Sequence, residues 1–323
     1  MKHFLVINTS YFGDTILTSS LCRNIKSAEP DSKIVFIANK PFIDVARYMD
    51  GVDEAWIYEK WGKHKGLKGF RSFIKEYKGR YDFDAAFVIY GNDRGIIMSK
   101  ILGAKRIMAD TKNIFLRVYI SLLHIDYKDK IHMQDRHAFL WELYSGKPME
   151  SFKMQYNVPA EAKKFVQQKL LAAIAKPVIA LNPVTKNKAK DLKPQTICEL
   201  ADKITAAGMQ PAIIGAGQDI LDYYTALPEE TKEKLLNLIN KTTIPQLGAL
   251  LQSCRALISA DTGTAHFALA LDVPVVDVFY INNPENLRVW GPKPCYRHKL
   301  IADGDFSSDY IWQQTLHLME ECQ

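Results

Sequence analysis

The stretch SADTGTAHFALALDVPVV, Ser259–Val276, reads in four steps. It is led in by CRALIS (254–259), an apolar segment of strand character. A polar turn follows, Asp261-Thr262-Gly263-Thr264. His266 then opens a second apolar run, Phe267-Ala268-Leu269-Ala270-Leu271, which Asp272 breaks before Val273-Pro274-Val275-Val276 restarts a strand pattern. The order is strand, turn, short helix, strand. The turn falls at a helix N-terminus, where free N–H groups and the helix dipole favour an anion, typically a phosphate. Thr262 and Thr264 add hydroxyl donors, Gly263 permits close approach of a ligand to the backbone, and His266 adds a donor one turn in. The plainer alternative is an Asp or Thr N-cap followed by a core helix.

The same rhythm runs through the chain. FLVI (4–7) reads as a buried strand, Asn8–Asp14 (NTSYFGD) as a loop, and Thr15–Lys26 as a helix with Ile16, Leu17, Leu21 and Ile25 on one side. Loops at the carboxyl ends of strands line the ligand crevice of an α/β fold, which aims Asp14 at a cleft. Its other reading is an N-cap, and the two are compatible. Strands follow at KIVFIA (33–38), Glu54–Tyr58, FDAAFVIY (83–90) and Arg106–Met108, with helices at 41–49, 96–102 and 133–145. Thr111–Ile125 is apolar and amphipathic, a core helix or a membrane-facing element. Met149–Val158 shows no period and reads as linker. The second half repeats the pattern: strand PVIAL (177–181), the Lys-rich loop Asn182–Pro194, helix 195–207, strand 210–214, helix 220–227, a short strand 235–239 and helix 244–253. After the opening stretch come a strand ending near Tyr280, a loop 281–292 and a last helix, 307–321. Gly215-Ala216-Gly217 lacks the remainder of a dinucleotide fingerprint.

With 323 residues, two domains are expected. We place them at 1–160 and 161–323, with the 307–321 helix returning to the first. No apolar run reaches the roughly 18 residues that span a bilayer, and the start MKHFLVINTSYFGD turns polar too early for a signal peptide. A cytoplasmic protein is expected. The five cysteines, Cys22, Cys198, Cys254, Cys295 and Cys322, are scattered and form no CxxC, which argues against zinc and a disulfide framework. A net charge of +6 suits an acidic partner but is too mild to indicate nucleic acid. Lys60–Arg80 concentrates that charge, with Trp61 and Phe70 interleaved and Gly62, Gly66 and Gly69 loosening its first half. It is either a solvated helix face or a contact for an anionic acceptor or membrane surface.

Four stretches resemble, in order, glycosyltransferase family 9, the ADP-heptose:lipopolysaccharide heptosyltransferases. They are the Ser10-Tyr11-Phe12-Gly13-Asp14 loop with its helix, Tyr81–Arg94 (YDFDAAFVIYGNDR), His132–Leu143 (HMQDRHAFLWEL) and Ser259–Pro274. The resemblance implies a GT-B architecture, two Rossmann-like domains facing across a cleft. It implies inverting transfer from a nucleotide-sugar, normally ADP-heptose, to a lipid-linked lipopolysaccharide core acceptor, with no metal or other cofactor. By matching position Asp14 would be the general base. Asp261, Thr262, Gly263, Thr264 and His266, with Thr185, Lys186 and Lys190, would hold the nucleotide-sugar. Ser10, Gly13, Lys60, Lys63 and Arg94 would lie on the acceptor side. A peripheral position on the cytoplasmic face of the inner membrane would fit such an acceptor.

The sequence departs from the family in two places. Asp191 stands where the family commonly has Lys, which leaves Lys186, Lys188 and Lys190 as rivals for phosphate. Phe279-Tyr280-Ile281-Asn282-Asn283-Pro284 replaces F-G-P-T-D-P, which opens the donor's base and sugar. Two other functions compete. A metal-dependent enzyme would use Asp82-Phe83-Asp84 or Asp303-Gly304-Asp305 as a D-x-D motif, although Asp82 and Asp84 precede a strand rather than end one. A non-catalytic nucleotide-binding relative would have kept the fold alone.

Overall fold

A computed structural model describes residues 1–91, 93–109, 115, 132–279, 284–294, 297–302 and 304–322. Most of the Thr111–Ile125 stretch, Asn92, Tyr280–Asn283, Cys295 and Asp303 lie outside the described residues.

The chain divides into two units, Met1–Tyr156 with Arg288–Trp290, and Asn157–Leu287 with Gly291–Gln323. In the first, β1 (His3–Asn8), β2 (Lys33–Asn39), β3 (Glu54–Tyr58), β4 (Ala85–Val88) and β5 (Arg106–Ala109) form a parallel sheet in the order β3-β2-β1-β4-β5. Its helices are α1 (Phe12–Leu17), α2 (Ser19–Ala28), α3 (Ile43–Arg47), α4 (Gly66–Tyr77), α5 (Asp93–Ile101) and α6 (Met133–Ser145). A parallel sheet is covered on both faces, so its strands are apolar without alternation. Phe4, Leu5, Val6 and Ile7 are all buried, and so are Ala85–Val88.

In the second unit, β6 (Val178–Asn182), β7 (Gln210–Ile213), β8 (Leu236–Asn237), β9 (Cys254–Ala260), β10 (Val275–Val278) and β11 (His298–Ile301) form a parallel sheet ordered β11-β10-β9-β6-β7-β8. Read from β8, this is the dinucleotide-binding order, with its switch point between β6 and β9. The first sheet follows the same winding, with its switch point between β1 and β4. The helices here are α7 (Ala160–Phe165), α8 (Pro194–Ala206), α9 (Gln218–Thr225), α10 (Glu229–Lys234), α11 (Ile244–Gln252), α12 (Gly263–Ala270), α13 (Pro284–Trp290) and α14 (Ser308–Glu321). All of them lie in this unit except the last turn of α13.

Several expectations change. The helix expected over 15–26 is two helices that begin earlier, at Phe12. Asn8 Nδ2 donates to the Asp14 carbonyl at 2.9 Å, and Thr18 Oγ1 donates to the same oxygen at 3.0 Å, while the Thr18 N–H turns to Thr15 O at 3.2 Å. Side chains thus take an acceptor that a continuous helix would have used. The 307–321 helix, α14, belongs to the second unit, whose core it joins through Ile311, Leu318 and Met319 together with Ile197 and Leu200 of α8. α13 falls within the 281–292 region expected to be a loop, while β11 and α7 lie in stretches to which the sequence reading assigns no element. The basic segment is not loose in its first half. The Glu59 N–H donates to His64 Nδ1 at 2.9 Å, and the Gly62 and His64 N–H groups both donate to Glu59 O at 3.0 Å. Gly69 lies inside α4, where a Cβ would come within 2.3 Å of the His64 carbonyl carbon, so it serves close packing. Lys68, Arg71 and Lys75 form the solvated outer face of α4, while Phe73 and Ile74 face the core.

Candidate functional site

Two loop clusters at carboxyl strand ends carry the residues singled out above. In the first unit the loop after β1 runs directly into α1. The Ser10 N–H donates to Asn8 Oδ1 at 3.0 Å and fixes the start of the turn. Asp14 stands at the third position of α1, half-buried, and its Oδ2 accepts the Tyr11 N–H at 3.3 Å. It therefore supports the helix start from within, as a carboxylate near a helix N-terminus does, and is not the N-cap residue. Lys60 reaches across from the end of β3 to donate to Thr9 O at 2.8 Å, with its ammonium also 4.2 Å from the Trp61 ring centre. Burial and the nearby Arg94 charge lower the Lys60 pKa. Arg94, on α5 after β4, donates to Tyr58 Oη at 3.3 Å. Lys60 and Arg94 are thus held by neutral oxygens beside the Asp14 loop. Lys63 instead pairs with Glu76 of α4 at 2.9 Å. Asp84 lies at the amino end of β4, where it accepts the His3 N–H at 3.0 Å and the Lys105 ammonium at 2.9 Å, away from the strand ends that carry Asp14 and Arg94.

In the second unit the loops after β6 and β9 meet at the switch point. Thr262 caps α12, its Oγ1 accepting the Thr264 N–H at 3.2 Å. Asn182 Nδ2, at the end of β6, donates to Thr262 Oγ1 at 2.8 Å and to Ser259 Oγ at 3.1 Å, so the cap is itself held from the neighbouring strand. Gly263 and Thr264 open the helix, and His266 is buried in its first turn. Among the rival lysines, Lys186 and Lys188 are exposed. Lys190 Nζ turns inward and donates to Asp261 Oδ2 at 2.7 Å. Asn286 Nδ2 donates to the same oxygen at 2.9 Å. Asp191, which departs from the family pattern, closes its own loop, with Oδ1 accepting the Thr185 N–H at 2.7 Å. Thr185 Oγ1 in turn donates to Asn187 O at 2.7 Å.

Sequence reading missed Asn182, Asn286 and Asp277. The signal for Asp277 was there: one acid inside the apolar run Val275–Val278. It is 1% exposed. Burial, and then the Asp261 carboxylate, raise its pKa well above the usual carboxylate range, against a weaker opposing pull from Lys190. Among the described residues no group of three or more His, Cys, Asp or Glu side chains is arranged to hold a metal ion.

The profile of glycosyltransferase family 9 (heptosyltransferase) matches residues 80–298, more than half of the chain. The chain belongs to glycosyltransferase family 9. It is a glycosyltransferase of GT-B architecture, as its two parallel sheets and its fold neighbours agree. The family 9 protein of Veillonella parvula superposes with a TM-score of 0.89 at 18% identity, over 99% of this chain and 98% of that one. The E. coli ADP-heptose lipopolysaccharide heptosyltransferase II gives 0.80 at 20% identity, over 99% of both chains. Among curated relatives, lipooligosaccharide heptosyltransferase 2 of Campylobacter jejuni is 25% identical over 86% of this chain and 81% of its own length. The protein of that name in Haemophilus influenzae is 28% identical over a shorter match, 38% of this chain and 36% of the relative.

Proposed function

We propose that this family 9 enzyme transfers a heptose from ADP-heptose to a sugar hydroxyl of the lipopolysaccharide inner core, in one inverting, metal-independent displacement. The observation that carries the reading is the second-unit cluster, a helix N-terminus capped by Thr262 with Lys190 turned in beside it. Such an arrangement suits a diphosphate. The names of the relatives, lipopolysaccharide and lipooligosaccharide heptosyltransferases, support the donor and acceptor classes.

The residues divide the chemistry. The acceptor oxygen bonds to the anomeric carbon while the bond from that carbon to the diphosphate oxygen breaks. Asp14 takes the hydroxyl proton as general base. ADP leaves carrying the electron pair, and its charge is met by the α12 N-terminus, the Thr262 and Thr264 hydroxyls, His266 and Lys190, which release from Asp261 makes available. Lys60 and Arg94, held by neutral oxygens, suit an anionic acceptor. Lys65, Lys68, Arg71 and Lys75 give an exposed basic face for loose contact with the cytoplasmic side of the inner membrane. No helix among the described residues is long and apolar enough to cross a membrane.

The test is a binding titration of ADP and UDP, with and without Mg²⁺, on the wild type and on His266→Ala. ADP binding without metal, weakened by the substitution, is the expected result, together with heptose transfer that persists in EDTA. Preference for UDP would replace the donor. A requirement for Mg²⁺ would overturn the metal-independent displacement.

A further inference from the structure

Three adjacent strands of the second sheet carry a polar residue at the same level. Asn182 of β6 lies opposite Ser259 of β9, and Ser259 opposite Asp277 of β10. Side chains alternate between sheet faces along a strand. The flanking Leu181, Ile258, Ala260, Val276 and Val278 belong to the core shared with α8 and α14. The polar row therefore belongs to the other face, the one on which α12 packs against β9 and β10. All three residues are buried, at 4%, 0% and 1% exposure. The first two are accounted for, since they hold the Thr262 cap. The third is not: Asp277 Oδ1 has no hydrogen-bond partner among the described residues.

A carboxylate needs hydrogen bonds or a counter-charge when buried. Among the described residues the cation whose charge Asp277 feels is Lys190, and Lys190 already pairs with Asp261. The elements packed against β10 also carry Cys254 and Arg255 on β9, His266 on α12, His298 and Lys299 on β11 and, on α14 across the sheet, Asp309, Tyr310, His317, Glu320 and Glu321. Lys299 is engaged with Glu321 of α14. An ionised Asp277 would be a second carboxylate competing for Lys190, and a diphosphate would then meet a cluster of net negative charge. A neutral acid leaves Lys190 and Asp261 balanced, so the ammonium can pass from one carboxylate to a phosphate.

We propose that Asp277 is a positioning residue of the donor site, which acts as an uncharged acid in the polar row and so keeps Lys190 exchangeable between Asp261 and the diphosphate. This rests on the reading of the second-unit loops as the nucleotide site. It concerns a residue that touches neither nucleotide nor sugar in that reading, and it predicts a pH dependence that packing alone would not give.

The experiment compares wild type with Asp277→Asn, the neutral isostere, in ADP titrations and in thermal unfolding without ligand between pH 6 and pH 9.5. The two proteins should bind ADP within about threefold of each other at pH 6, and wild type should fall at least tenfold behind Asp277→Asn as pH rises. The ratio of the two removes the titration of ADP itself. The unfolding comparison has a fixed sign. A carboxyl whose folded pKa is raised binds a proton that the unfolded chain has released, so wild type loses stability as pH rises through that pKa. The melting temperature of Asp277→Asn should therefore pull ahead of wild type with increasing pH. ADP binding with the same pH profile in both proteins would overturn the role of Asp277 alone. A tenfold or greater loss of ADP binding by a folded Asp277→Asn at pH 6 would also overturn it, by showing that the charge is required. Failure of both proteins to bind ADP at any pH would sink the nucleotide-site reading, and a melting difference that stays flat with pH would then remove the neutral acid as well.

Discussion

The two units wind their strands in the same sense and open at the same switch point, yet they arm it differently. At the β1–β4 end a carboxylate sits on the first turn of a short helix, with two cations beside it that are held by neutral oxygens, Thr9 O and Tyr58 Oη. At the β6–β9 end the inward-turned cation, Lys190, is matched by Asp261, and a buried polar row holds the helix cap. The first arrangement offers a carboxylate and two cations bonded to neutral oxygens, which under the proposed function suits an acceptor that must lose a proton. The second offers a helix N-terminus and a charge released only by exchange, which suits a leaving group that arrives as an anion. One fold serves both because the ligand site belongs to the loops after the strands and not to the strands.

That division can be broken residue by residue. The largest effect is expected for Asp14→Asn. Removing a general base should cost about 10²- to 10⁴-fold in kcat, while ADP affinity stays within about twofold because the nucleotide loops are untouched. Single-turnover transfer together with ADP titration measures both, and full activity would strip Asp14 of its role. Next is Lys190→Ala, which removes a charge-assisted contact worth about 1.5–3 kcal/mol and should weaken ADP binding by about 10- to 100-fold. Unchanged ADP affinity would return the phosphate role to Lys186 or Lys188. The smallest is Lys60→Ala, expected to raise the acceptor KM by about three- to tenfold at low salt and by less as ionic strength screens the charge. An equal effect at every salt concentration would point to lost packing on Trp61 instead of lost charge.

Much of this was legible in the sequence, and for a physical reason. Buried parallel strands show as unbroken apolar runs, so FLVI, KIVFIA and CRALIS stood out, and the polar turn between two apolar runs marked the strand–turn–helix at Ser259–Ala270. What was hidden depends on contacts between distant segments. Nothing local says that Lys190, and not Lys186, turns toward Asp261, because 71 residues separate the pair. The split of the first helix at Thr18 follows from Asn8, on the preceding strand, taking the Asp14 carbonyl. Asp277 was visible as an oddity, but its meaning needed the register that sets it beside Ser259. The 307–321 helix has a clear apolar face, and a face does not say which sheet it will cover.

The central claim is that the nucleotide belongs to the β6–β9 loops and the base to the β1 loop. Amide hydrogen exchange across the whole chain, with and without saturating ADP, tests it most directly. Protection should rise over residues 182–191 and 261–266 and remain unchanged over 8–18. Protection confined to 8–18, with the second-unit loops unaffected, would contradict the assignment of the two sites.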